Sequence, residues 1–163
     1  MKSILTITLC IISTCGFSQD WSKNYTSFHG SIGSQKSFYT EVGVSKFKYI
    51  LYGYFPVSKS YYLSAEFSPT LRPESENHIY ALKTGYEYSV FILSLAIDAK
   101  YQTDFIKNDF VITPKIGLGA FGIFTLYYGY NISIQNKPFD RIGTHQLSLV
   151  CNLNKHVLKD CLF

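Results

Sequence analysis

The chain has 163 residues, a formal charge of +4 and a mean hydropathy of +0.06, which fits a single domain. With 16% charged and 47% hydrophobic residues it is too apolar for an intrinsically disordered chain, and no run of Lys and Arg marks it as a nucleic-acid binder. Aromatic residues are the outlier: 14 Tyr, 13 Phe and one Trp.

Residues 1–18 read as a secretory signal peptide that is cleaved. Lys2 supplies the positive start and Ile4 to Ile12 an apolar stretch. Gly16 and Ser18 place small residues at the −3 and −1 positions before Gln19. The apolar stretch falls short of the ~20 residues that a spanning helix needs. Residues 19–36 read as an N-terminal periplasmic segment, although alternating Phe28, Gly30 and Ile32 leave a further strand there open. Cys15 follows Thr14, where a lipidation signal carries Gly, Ala or Ser.

From residue 37 onward the apolar residues recur with period two, the signature of strands. The spacing predicts eight strands, at 37–45, 48–57, 61–71, 78–88, 90–102, 109–119, 123–134 and 143–153. Phe38, Thr40, Val42 and Val44 oppose Tyr39, Glu41, Gly43 and Ser45. The segment from Tyr49 to Val57 is apolar on both faces. Tyr61, Leu63, Ala65 and Phe67 oppose Tyr62, Ser64, Glu66 and Ser68, and Leu82, Thr84 and Tyr86 oppose Lys83, Gly85 and Glu87. The plainest strand sets Leu93, Leu95, Ile97, Ala99 and Tyr101 against Ser94, Ala96, Asp98 and Lys100. Pro114 interrupts the sixth strand and predicts an irregular ladder there. Tight connections are expected at Ser58 to Ser60, near Ser89 and at Ala120 to Gly122. Longer polar ones are expected at Arg72 to Asn77, Thr103 to Asn108 and Gln135 to Arg141. The first outer connection, near Lys46-Phe47, departs from this alternation by being short.

Charges sort to one face. Glu41, Glu66, Lys83, Glu87, Asp98, Lys100 and Lys115 all lie opposite the apolar residues, four acids against three bases. This mixed face makes a poor water-facing surface but a good internal network of neutralising partners. Facing lipid, a basic member would cost roughly 2–4 kcal/mol near the midplane. The expected architecture is therefore an all-β, up-and-down antiparallel transmembrane barrel over residues 37–154, its narrow interior filled by side chains.

The signal end Gly16-Phe17-Ser18-Gln19, the alternating strands, and the stretch from Pro114 through Ile116-Gly117-Leu118-Gly119 to Tyr128-Gly129-Tyr130-Asn131 resemble small eight-stranded outer-membrane β-barrel proteins. The resemblance implies residence in the cell outer membrane, contact with its lipid, and both chain ends in the periplasm. One departure stands out: such barrels commonly finish on a strand with a terminal aromatic residue. Phe163 fits, but the last clear strand stops near Leu153, so 155–163 is either a tail or the end of that strand.

No metal-ligand spacing links His29, His78, His145 and His156, which read as strand-end or loop residues. No nucleophile elbow, P-loop or dinucleotide fingerprint occurs, so no catalytic residue, metal or cofactor is expected. A non-enzymatic barrel, structural or binding an extracellular or envelope protein through its loops, is the expected function. Its candidate contacts are Arg72, Glu74, Glu76, Asp104, Lys107, Asp109, Lys137, Asp140 and Arg141. A lipid-modifying enzyme would need an acid beside a His or Ser, for which His78 with Glu76 is the one local pairing. A secreted soluble ligand-binding barrel of the lipocalin kind would carry Gly-x-Trp, whereas Trp21 follows Gln19-Asp20. Cys151 and Cys161 read as a strand residue and a tail thiol.

Overall fold

The computed structural model describes residues 21–52, 55–70, 77–120, 123–135, 139, 140 and 142–153. Its strands are β1 (Trp21–Gln35), β2 (Ser37–Tyr52), β3 (Phe55–Ser68), β4 (Ile79–Val90), β5 (Leu93–Thr103), β6 (Asn108–Ala120), β7 (Phe124–Tyr130), β8 (Ile132–Ser133) and β9 (His145–Leu153). All neighbours pair antiparallel in chain order, and β9 closes the sheet by pairing with β1. β7 and β8 are two halves of one strand, so the fold is a closed, up-and-down, eight-stranded β-barrel.

Register defines the shape. Residues paired in register run from Asn24 through Lys48, Lys59, Tyr88, Leu95, Ile116, Tyr128 and Leu147 back to Ser34. One circuit therefore advances about ten residues along β1, and for eight strands that shear tilts them by roughly 40°.

Two expected elements are corrected. Residues 37–45 and 48–57 do not form separate strands. β2 runs unbroken through Lys46 and Phe47, which pair with Tyr61 and Ser60, so no turn lies there and none at Ser58 to Ser60. The strand this removes is restored by β1, inside the segment expected to precede the barrel. β1 escapes a hydropathy reading because its outward face is mostly polar or small: Asn24, Thr26, Gly30 and Ser34 flank only Phe28 and Ile32. Residues 1–18 and 155–163 lie outside the described residues.

Connections alternate in length as expected. At one end lie both barrel termini and the short links 53–54, 91–92 and 121–123; at the other lie 69–78, 104–107 and 134–144. The first link at this second end is the single residue Lys36, in the left-handed region at φ 74°. Around Pro114 the ladder is interrupted without a change of register. Lys115 pairs with Gly129 and Ile112 with Ile132, while Asn131 turns its N–H to Thr144 O, 2.6 Å away.

Outside the stretch of β2 and β3 around Lys46, Lys48 and Lys59, the strands turn their aliphatic and aromatic residues mainly outward and their small and charged residues inward. A narrow interior makes inward glycines necessary. At Gly43 an added Cβ would lie 2.2 Å from Leu63 O and 2.6 Å from Ser64 Cα, both backbone atoms of β3. At outward Gly30 it would meet first the mobile ring of Phe28, at 3.1 Å. Gly43→Ala should therefore cost about 1–3 kcal/mol by overpacking, read as a lower urea midpoint of unfolding. Gly30→Ala should leave the midpoint nearly unchanged, and equal midpoints would refute the crowding argument.

Candidate functional site

The inward face gathers all seven expected charged residues into one column, each no more than 6% exposed. Lys83 is the hub. Its Nζ contacts Glu41 and lies 3.5 Å from Glu66 and 3.7 Å from Asp98. β2 to β5 deliver these groups because the register places Glu41 opposite Glu66 and Lys83 opposite Lys100. Lys115, from β6, pairs with Asp98 at 2.5 Å, and Tyr62 donates its hydroxyl to the same carboxylate. Lys100 lies 3.3 Å from Glu66 and donates to Gln35 Oε1 at 2.8 Å. Charges taken out of water are tolerable when paired and hydrogen-bonded; Glu41, Glu66, Asp98 and the three lysines are ion-paired, whereas Glu87 accepts from the amide of Asn152.

Several members lack a distinctive signal in the sequence. His29 is a buried residue of β1, correcting its reading as a strand-end or loop histidine. Its Nδ1 lies 2.7 Å from Asn152 Oδ1, an acceptor, so this nitrogen carries the proton. Nε2 faces Glu41 at 3.3 Å, and the ring stacks on Tyr62 with centroids 4.0 Å apart. Asn152 in turn donates to Glu87 at 2.9 Å. Gln35, Tyr39, Gln102 and Gln146 complete the filling; as neutral residues on a mixed face they give a hydropathy pattern nothing to single out.

Asp109 is the second correction. Expected as a loop contact, it is 1% exposed in β6 and points inward, where Gln102 Nε2 lies 3.3 Å from its Oδ2 and the N–H of Gln135 donates to its Oδ1 at 3.2 Å. Asp104, Lys107 and Asp140 do lie on connections at the long-loop end. The Asp104 carboxyl is held below the usual range, against the cost of its slight burial, by the N–H groups of Lys107 and Ile106. Lys36 Nζ donates to Asp140 O at 2.5 Å. Arg72, Glu74, Glu76, Lys137 and Arg141 lie outside the described residues. His78 is exposed and its Nδ1 accepts the N–H of Thr70 at 3.1 Å, which ties down the start of the 69–78 link. Cys151 is a free thiol on the outward face, and Cys161 lies outside the described residues.

Apolar clusters cap both ends of the column. Phe47, Tyr49 and Ile123, with Tyr25 against them, fill the end near the chain termini. Ile79, Phe139 and Ile142 fill the other, where Gly143 N donates to Gln35 O at 2.7 Å. The cavity left between Gln102, Asp109, Asn131 and Phe139 measures about 10 Å³, room for one water at most. Among the described residues no group of three or more His, Cys, Asp and Glu is placed to hold a metal ion.

No protein-family model, curated protein or solved structure matches this chain.

Removing the hub tests that geometry. Lys83→Met would leave Glu41, Glu66 and Asp98 facing one another, and breaking a buried pair costs about 3–5 kcal/mol. The urea midpoint should fall further for Lys83→Met than for Lys100→Met, because Lys100 meets a single carboxylate, Glu66, among the described residues. The reverse order would show that Lys83 does not organise the interior.

Proposed function

We propose that this chain is an outer-membrane β-barrel with a closed interior, delivered by a signal peptide at 1–18, that serves as a structural element or binds a partner through its long-loop end. The observation that carries the reading is the outward surface. Phe28, Val42, Leu63, Leu82, Leu95, Ile116, Leu126 and Leu149 are all about half exposed, one from each strand, so the apolar belt runs round the whole circumference. A monomer in water rarely exposes a continuous apolar patch beyond a few hundred Å².

The belt has the dimensions of a bilayer core. From Leu93 to Tyr101 the outward face of β5 spans eight residue-to-residue steps, which at roughly 3.3 Å per step and the tilt above is about 20 Å; an apolar band of about 25 Å is typical. Aromatic residues gather along its upper margin in Phe38, Phe67, Tyr80, Tyr101, Phe110 and Tyr130. These rings suit an interface that is apolar on one side and wet on the other. On this reading the short links face the periplasm.

The longer links carry whatever partner recognition the barrel has, through Asp104, Lys107 and Asp140 and the charged residues of 71–76 and 136–141. The filled column and its caps favour a non-conducting, non-enzymatic role, with membrane lipid as the surrounding solvent.

Gel mobility of the protein from the membrane fraction, boiled against unboiled, tests this reading. A folded barrel resists detergent, so a heat-dependent shift in outer-membrane material is the expected result. A protein recovered soluble, with no shift, would overturn the membrane reading in favour of a secreted barrel.

A further inference from the structure

Three lysines break the rule that charges turn inward. Lys46, Lys48 and Lys59 lie on the outward parity of β2 and β3, and among the described strand residues no acid shares that face. The register gathers them: Lys48 stands directly opposite Lys59, and Lys46 opposite Tyr61. Like charges directly opposite across a ladder destabilise a sheet, so the arrangement calls for an anion. A groove of about 540 Å³ runs past them, also lined by Asn24, Thr26 and Tyr61.

The surroundings decide what kind of anion fits. Farther along the same strands the face turns apolar, with Phe28 beside Val44 and Val44 beside Leu63. The lysines therefore form a cationic margin on the belt, at the end that holds the chain termini and short links. Lys59 keeps its Nζ 5.6 Å above the Tyr88 ring, which orients the ammonium without neutralising it. A ligand that satisfies this face needs a phosphate at the lysines and hydrocarbon along Val44 and Leu63. We propose that Lys46, Lys48 and Lys59 form a binding site for the phosphate of an anionic phospholipid in the leaflet at the short-link end. The proposal rests on the membrane reading above.

The test uses the full chain, folded into phosphatidylcholine vesicles doped with phosphatidylglycerol. The protein is then extracted with its retained lipid, and the ratio of the two lipids is measured by mass spectrometry. Wild-type protein should retain phosphatidylglycerol in excess of its share of the vesicle. The Lys46→Gln, Lys48→Gln, Lys59→Gln triple variant should lose about tenfold of that excess while keeping its heat-dependent gel shift. Lys36→Gln, at the opposite end, should lose none.

Undiminished enrichment in the triple variant, or an equal loss in Lys36→Gln, would overturn the site. So would displacement of the lipid by inorganic phosphate but not by chloride at equal ionic strength, which would make free phosphate the ligand. A folded, heat-shifting wild type without enrichment overturns the lipid site alone. Failure of the wild type to enter vesicles at all overturns the membrane reading and the site together.

Discussion

Where β9 meets β1, from Phe28 with Leu153 to Ser34 with Leu147, the sheet loses its two edges, and the rest of the barrel depends on that seam. An open edge presents unpaired N–H and C=O groups that must find water or another chain. Closure satisfies them internally, the condition for a sheet to stand in hydrocarbon. It also settles what lies inside. Once the circuit is complete, each strand has one face toward a narrow bore and one toward the surroundings, and period-two alternation assigns every residue to one or the other.

That assignment turns the usual soluble fold inside out. Here the bore is polar and the exterior greasy, so the stability that a soluble protein draws from an apolar core must come from elsewhere. Hydrogen bonds and ion pairs centred on Lys83 supply cohesion only because each charge is desolvated together with its partners. The apolar caps are part of the same arrangement. By closing the bore above and below with Phe47, Tyr49 and Ile123 and with Ile79, Phe139 and Ile142, they keep water from competing for those pairs.

Sidedness was legible in the sequence because it needs only the period. Alternation placed Glu66, Asp98 and Lys115 inside without any knowledge of which strands touch. Strand limits were less legible where the two faces stop differing. Phe47 and Tyr49 point to an end cap rather than to the polar column, while Lys46 and Lys48 face outward, so this part of β2 inverts the pattern and imitates a turn. β1 imitates a loop for the converse reason, with Ser27, His29 and Ser31 inside and few apolar residues outside. The partners within the column were not legible at all. Lys83 meets Glu41 because a strand register brings residues 42 apart together, and His29 meets Asn152 only across the closing seam.

The shear has a consequence for errors of assembly. Shifting β4 or β6 by a single residue would send Lys83 or Lys115 outward and draw a leucine or isoleucine into the bore, so odd slips of these strands are rejected by the side chains themselves. An even slip between strands of β2 to β6 keeps the sidedness but shifts one wall of the column by roughly 7 Å against the next, far enough to part an ammonium from a carboxylate across that seam. Alternation therefore excludes half of the wrong registers and the ion pairs penalise the remainder. In this sense the charged column is a ruler as well as a filling: it measures whether eight strands have closed at the right pitch.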